Sequence, residues 1–277
     1  MKFLFFGDVF GRPGREALSK IIPNLKDKYG PDFIIANAEN SAHGMSVTER
    51  SLSEMMTAGV DFFTLGNHLV PTNEIVSLLG DKNWPLIRPL NWSPRMKLGD
   101  GYRVIKLVTK SILIVNLVGR VFMHKQHDDP FWYIDNLLDE FSLSSNYGEK
   151  DKGNKTKVDA IIVDWHAEAT SEKRALGLYL DGRVSAVLGT HTHVPTADAQ
   201  VLPKGTAYIT DVGMVGVADS ILGLDKQSII NSFLTQMTRK PIDVATGDVE
   251  VNFVVLEIDP ETGLAKNIEK YREIVVS

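Results

Sequence analysis

Residues 1–14 read MKFLFFGDVFGRPG, and the fold turns on how that run ends. Five of its first six residues are apolar or aromatic, as in a strand buried on both faces. The run stops at Gly7-Asp8 and, after two more apolar residues, becomes polar and rich in glycine and proline. A buried strand that ends on a carboxylate raises the question of what partners Asp8 has.

Outward from this strand (2–6) the same rhythm repeats. Residues 14–29 read as an amphipathic helix, with Pro23 predicting a kink or break. A strand over 32–37, a helix over 47–58 capped by Thr48, a strand over 61–65 and a short helix over 72–80 follow. Alternating strands and helices predict an α/β fold with a largely parallel sheet in the first third. Residues 103–109 and 112–118 read as paired strands and 130–141 as a helix. The polar stretch 142–157 makes 121–157 an insertion or flap, because a strong strand resumes at 158–163. Short strands follow at 184–188, 197–202, 206–210, 250–257 and 269–276, with a turn at Glu261-Thr262-Gly263. These late strands predict a second, mixed sheet packed on the first, with helices outside, in a single domain over 1–277.

Composition narrows the chemistry. The chain is 43% hydrophobic and 23% charged, ordinary for a globular protein that buries a substantial core. Its formal net charge of -5 argues against duplex nucleic acid as a partner, since such binders carry a basic face. With no cysteine, thiolate zinc sites and iron–sulfur clusters are excluded, so any metal is held by nitrogen and oxygen. The opening apolar run is too short for a secretory leader and is interrupted by Asp8 and Arg12. No apolar stretch has the length of a membrane span, and a cytoplasmic location is expected.

Ligands in open α/β sheets bind beyond the carboxyl ends of the strands. There the sequence places Asp8, then Asn37-Ala38-Glu39-Asn40, Gly66-Asn67-His68, Asp164-Trp165-His166 and Gly189-Thr190-His191-Thr192-His193. Each residue alone reads as a cap, a turn former or a hydrogen-bonded rim residue. Together, five strand ends carry metal-ligand side chains, and four of the seven histidines are among them. In extended chain, residues two apart face one side, so His191 and His193 are expected to converge on one point. A shared metal site is the reading that explains the set. His43 is expected at its rim. His124 and His127 read as solvated or beside substrate.

These motifs resemble the calcineurin-like metallophosphoesterase superfamily, whose ligands follow the order D-x-H, G-D-x-x-D, G-N-H-[DE], H, G-H-x-H. Phe10 stands where the first motif has its histidine, and Glu39 where a bridging aspartate is usual. Those departures resemble the YmdB-like branch, through GDVFGRPGR (7–15), NAENSAHG (37–44), DWHAEATSEK (164–173), GTHTHVPTAD (189–198) and TDVGM (210–214). The branch pattern implies a tryptophan and an acid soon after G-N-H, where this chain has Leu69-Val70-Pro71.

The resemblance implies a four-layer α/β/β/α sandwich with two packed mixed sheets. It implies two transition-metal ions per chain, iron foremost with manganese or zinc as substitutes. Asp8, Glu39, Asn40 and His193 would bind one metal, and Glu39, Asn67, His166 and His191 the other. It implies hydrolysis of 2′,3′- and 3′,5′-cyclic nucleotides by a hydroxide bridging the metals, with His68 as general acid. A phosphomonoesterase or nucleotidase with the same metals, or a metal- or nucleotide-binding regulator without turnover, are the competing readings. Arg12 is a candidate for substrate phosphate. Glu168, Thr170, Ser171 and Lys173 are read as helix-starting residues or supports for His166, and Thr210–Gly213 as flanking the site. A small phosphorylated substrate, no membrane and a homo-oligomer complete the expectations.

Overall fold

The computed structural model describes every residue except 69–71, 94, 145–154 and 238–242. The first half contains β1 (Lys2–Val9), α1 (Gly11–Tyr29), β2 (Phe33–Asn37), α2 (Glu49–Ala58), β3 (Phe62–Thr64), α3 (Asn73–Gly80), β4 (Tyr102–Lys106), β5 (Ser111–Val118) and α4 (Pro130–Glu140). There follow β6 (Phe141–Leu143), β7 (Thr156–Val158), β8 (Ala160–His166), α5 (Thr170–Tyr179), β9 (Ala186–Thr190), β10 (Gln200–Val201) and β11 (Ala207–Ile209). The chain finishes with β12 (Met214–Val217), α6 (Lys226–Thr235), β13 (Val249–Ile258) and β14 (Ala265–Val275).

Twelve of these strands make two six-stranded sheets, ordered β14-β13-β12-β1-β2-β3 and β10-β11-β9-β8-β5-β4, and β6 pairs with β7. Around the centre of each sheet the pairing is parallel: β12, β1, β2 and β3 in the first, and β5, β8, β9 and β11 in the second. Antiparallel β13 and β14, β4 and β10 close the edges.

The opening strand explains the layering. Side chains alternate along it, so Phe3 and Phe5 face one side and Leu4 and Phe6 the other. Phe3 and Phe5 join Phe33, Ile35 and Phe62 against Ile112, Ile114, Ile162 and Leu188 of the second sheet. Leu4 and Phe6 pack under Leu18, Ile21 and Ile22 of α1 and Leu52 and Met55 of α2. On the far side, Leu113, Val115, Ile161 and Val163 lie under Ile134 and Leu137 of α4 and Leu176 of α5. The result is helices, sheet, sheet, helices, the expected four layers. Each fully buried phenylalanine stabilises this arrangement by about 1.5–3 kcal/mol.

Several details differ from the sequence reading. Helix α1 starts at Gly11 and continues through Pro23, whose exposed position lets solvent take the carbonyl that the missing N–H leaves free. The strand expected over 197–202 shrinks to two residues because Asp198 folds the chain into a turn, accepting from Thr196 Oγ1 (2.7 Å) and Thr210 N (3.1 Å). Within the expected flap, α4 buries Ile134, Leu137 and Leu138 and belongs to the outer helical layer. Residues 145–154 of that stretch lie outside the described residues. Four elements carry no signal in the sequence reading: β6 and β7, which pair within the expected flap, β12, interrupted by Gly216, and α6, which buries none of its residues. Among the described residues no helix is long and apolar enough to cross a membrane.

Candidate metal centre

The parallel strands β1, β2, β3, β8 and β9 all end at one edge, and the polar residues that follow them meet there. Asp8 is the penultimate residue of β1, Glu39 and Asn40 follow β2, Asn67 follows β3, His166 closes β8, and His191 and His193 follow β9. All are buried except His191, which is half-buried. The expected donors are therefore brought together from both sheets.

Their spacing is close. His166 Nε2 lies 3.0 Å from Glu39 Oε1, 3.0 Å from Asn67 Oδ1 and 3.0 Å from His191 Nδ1. His193 Nε2 is 3.1 Å from Asn40 Nδ2 and 3.9 Å from Asp8 Oδ1. Glu39, His166 and His191 offer ligand atoms within 4.8 Å of one another, a group that can hold a metal ion. Gly66 lets them approach, since a Cβ there would stand 2.2 Å from Glu39 Oε2 and 2.3 Å from His166 Nε2.

The outer nitrogens of the three imidazoles assign their tautomers. Thr190 Oγ1 donates to Asp164 Oδ1 (2.6 Å), so it accepts from His166 Nδ1 (2.9 Å), which must carry the proton. His193 Nδ1 faces the Leu222 carbonyl (3.0 Å), which only accepts. His191 Nε2 faces the Glu168 carboxylate (3.0 Å). With its outer nitrogen tied to an acceptor, each ring turns its other nitrogen inward: His166 towards Glu39 and Asn67, His191 towards His166, and His193 towards Asn40 and Asp8. Asp8 Oδ1 is buried with no hydrogen-bond partner. The Glu39 carboxylate and the orphaned Asp8 oxygen call for a cation among these rings: a proton on His166 in the metal-free cluster, or a metal ion in its place. The residues fit divalent metal, as the metallophosphoesterase fold implies, and the all-nitrogen-and-oxygen set suits first-row ions.

The electrostatics agree. Burial would depress His166, but Glu39, then Asp8 and Asp164, raise it to about 9: the cluster draws positive charge. Burial pushes His191 down to about 2, and the charge on His166 adds to this, so the His191 ring is neutral. Burial would raise Glu39, yet His166 and then His68 hold it well below the usual carboxylate range. Burial raises Asp8, an effect only partly offset by His193 and His166.

The route by which the two loop histidines converge differs from the sequence reading. The strand ends at Thr190, and His191 (φ 100°) and His193 (φ 64°) sit in left-handed backbone, not in extended chain. Such conformations cost about 1–3 kcal/mol each and persist only when their surroundings impose them. Here Asp8 Oδ2 accepts from His191 N (3.0 Å). Lys173 Nζ donates to Thr190 O (2.6 Å) and Asp211 Oδ2 (2.6 Å), and Asp211 accepts from Thr192 N (3.0 Å) and Gly213 N (2.9 Å). Both Lys173 and Asp211 are buried. Phe10, in the place of the superfamily histidine, braces the His193 ring edge-on at 5.5 Å.

His68 stands at the rim. Its Nδ1 faces Asn40 Oδ1 (3.0 Å) and Glu39 Oε1 (3.2 Å), and its backbone N–H donates to Glu39 Oε2 (3.1 Å). Its side chain keeps 35% exposure, so the far ring edge is open to solvent. Two candidates are not brought to the cluster. Arg12 is exposed and its Nε donates one turn along α1 to Glu16 (2.6 Å), the partner that i,i+4 spacing supplies. His43 is exposed in a left-handed turn (φ 54°) beside Gly44. Leu69-Val70-Pro71 lie outside the described residues.

The support behind His166 was missed in the sequence. Asp164 is fully buried and accepts from Thr190, Thr64 and Asn37, so burial raises it only to about 6. The signal was present: Asp164 lies two residues before His166 in one strand, and therefore on the same face.

Comparison with known proteins places this geometry. Residues 4–271 match the family described as YmdB-like protein. A 2′,3′-cyclic-nucleotide 2′-phosphodiesterase of Bacillus subtilis is 44% identical over 270 residues, 98% of this chain and 96% of that protein. A crystal structure of a Mycoplasma pneumoniae protein described as a novel phosphatase superposes with a TM-score of 0.87 at 34% identity, covering 99% of this chain and 93% of that one. The calcineurin-like phosphoesterase YfkN of Bacillus subtilis shares the fold, with a TM-score of 0.57 at 12% identity over 100% of this chain and 90% of that one.

Proposed function

The chain belongs to the YmdB-like family, and on that premise we propose that it is a metal-dependent phosphodiesterase acting on cyclic nucleotides, 2′,3′-cyclic ones first. One observation supports this above others: three imidazoles, each with its outer nitrogen tied to an acceptor, turn their inner nitrogens into one cluster with two buried carboxylates.

In this reading Asp8, Glu39, Asn40 and His193 hold one metal and Glu39, Asn67, His166 and His191 a second, with iron the native ion and manganese or zinc substitutes. Bound metal supplies an activated water and neutralises charge on the phosphate oxygens. The remaining work falls to the chain. Thr190, Leu222 O and Glu168 keep the inner imidazole nitrogens aimed into the cluster. The Lys173–Asp211 pair keeps residues 190–193 in the backbone conformation that presents them. Asn40 Oδ1 and Glu39 Oε1 hold His68 by Nδ1–H, leaving Nε2 towards solvent and substrate. In its protonated form His68 gives that outer proton to the departing ribose oxygen, which is a poor leaving group as an alkoxide. Proton transfer of this kind contributes about 10²–10⁴-fold.

A diesterase and a monoesterase with the same donors are separated by turnover. Protein loaded with manganese or iron should cleave bis-p-nitrophenyl phosphate faster than p-nitrophenyl phosphate and should open 2′,3′-cyclic AMP to a single monophosphate. Faster monoester cleavage would replace this reading with that of a phosphatase. No turnover with any of these metals would leave a binding protein.

A further inference from the structure

The loop joining β5 to α4 builds a cleft beside the metal centre that the donors described above leave unused. The loop departs with Gly119 N donating to His166 O (2.9 Å) and reaches back with Lys125 Nζ donating to Asn67 O (3.3 Å). Glu172 at the start of α5 accepts from Arg120 N (3.0 Å) and Val121 N (3.2 Å). Between them lies a cavity of about 480 Å³ with Arg120, Met123, Lys125, Gln126, His127 and Glu172 in its wall. That volume falls in the ~300–1,000 Å³ range of small-molecule sites. Two anchors of the loop are backbone atoms of proposed metal ligands, so the cleft adjoins the centre.

His127 marks the cleft as built for a ligand. It is 8% exposed and stacks on Trp92 at 6.3 Å with the planes 4° apart. Its buried Nε2 has no hydrogen-bond partner. Burial, then Lys125 and His166, pushes its pKa down to about 4, so the ring is neutral near pH 7 and its free nitrogen can pair with a neutral group. A buried nitrogen left unpaired is destabilising, and occupancy by a ligand removes that cost.

A planar apolar face and a polar edge that both donates and accepts are the features of a nucleobase. We propose that this cleft binds the base of the nucleotide substrate, with His127 Nε2 and the Gln126 amide on its polar edge and Met123 against its face. The assignment rests on the phosphodiesterase reading and adds to it the part of the substrate that the metals do not touch. Lys125, between the cleft and Asn67, lies at the seam between base and phosphate.

The test compares two cyclic diesters on the metal-loaded full chain: 2′,3′-cyclic AMP, and glycerol 1,2-cyclic phosphate, which has the same five-membered ring and no base. In His127→Ala the ratio of their kcat/KM values should fall about tenfold, the worth of one buried hydrogen bond, chiefly through KM for the nucleotide. Gln126→Ala changes an exposed side chain and should lower the ratio about threefold, so it decides the matter if His127→Ala fails to fold. A ratio unchanged in the folded variants, or a wild type that does not prefer the nucleotide, overturns the base site and leaves the diesterase standing. Failure of wild type to cleave either ester removes both.

Discussion

The Lys173 ammonium lies 2.6 Å from the Asp211 carboxylate, with both side chains withdrawn from solvent. Between them they hold Thr190 O, Thr192 N and Gly213 N, the backbone on either side of His191 and beside Asp8. The pair acts on the metal centre without touching it. Lys173→Met leaves a buried carboxylate without its counter-charge and should cost about 3–5 kcal/mol in urea unfolding. The double variant Lys173→Met/Asp211→Leu should recover much of that stability. Calorimetric titration with manganese should still show binding about 10–100-fold weaker than wild type, because the loop is no longer pinned. Full recovery of metal affinity in the double variant would show that the pair serves stability alone.

Replacing His68 by alanine should separate metal binding from proton transfer. Metal content should be unchanged, while kcat on 2′,3′-cyclic AMP should drop about 10²–10⁴-fold. On bis-p-nitrophenyl phosphate, whose leaving group needs no proton, the loss should be far smaller. Equal losses on both substrates would remove His68 from the acid role.

Thr190→Val breaks the relay that fixes the His166 tautomer. Manganese affinity should fall about 10–100-fold, as measured by calorimetry, with secondary structure by circular dichroism unchanged. Affinity equal to wild type would mean that packing alone orients the ring.

Away from the centre, Asp198 gives a prediction in pH. Burial would raise its carboxyl, but the hydroxyls of Thr210 and Thr196 and the N–H of Thr210 hold it below its ordinary value. A carboxyl depressed in the folded state adds stability above its unfolded pKa of about 3.9, lost as pH falls through the lower folded value. The stability gap between wild type and Asp198→Asn should therefore be widest near neutral pH and shrink below about pH 4 in urea titrations. A gap that is constant with pH would contradict this.

The sequence carried the layers and the donors because both rest on strong patterns. Alternation in Phe3–Phe6 dictates which side chains enter the space between the sheets, and polar residues after apolar runs have few places to go but the strand ends. The elements it did not carry are held by tertiary contacts. Strand β12 is four residues with Gly216 inside, and exists because β1 and β13 flank it. The turn at Asp198 follows from a carboxylate meeting two threonines twelve and two residues away. At the site, the seven residues that meet at the strand ends were legible by type and order, whereas the left-handed backbone of His191 and His193 was not, since local spacing favours extended chain there. Arg12 carries a charge that suits phosphate and Glu16 alike, and in the structure it meets Glu16.

The central claim is that the cluster at the strand ends holds two metal ions. Metal content by mass spectrometry on gently purified protein, with Asp8→Ala and His166→Ala purified alongside, tests it most directly. The account predicts close to two transition-metal ions per wild-type chain and fewer than one in each variant. A wild-type chain that binds no transition metal, even after incubation with iron or manganese, would contradict it.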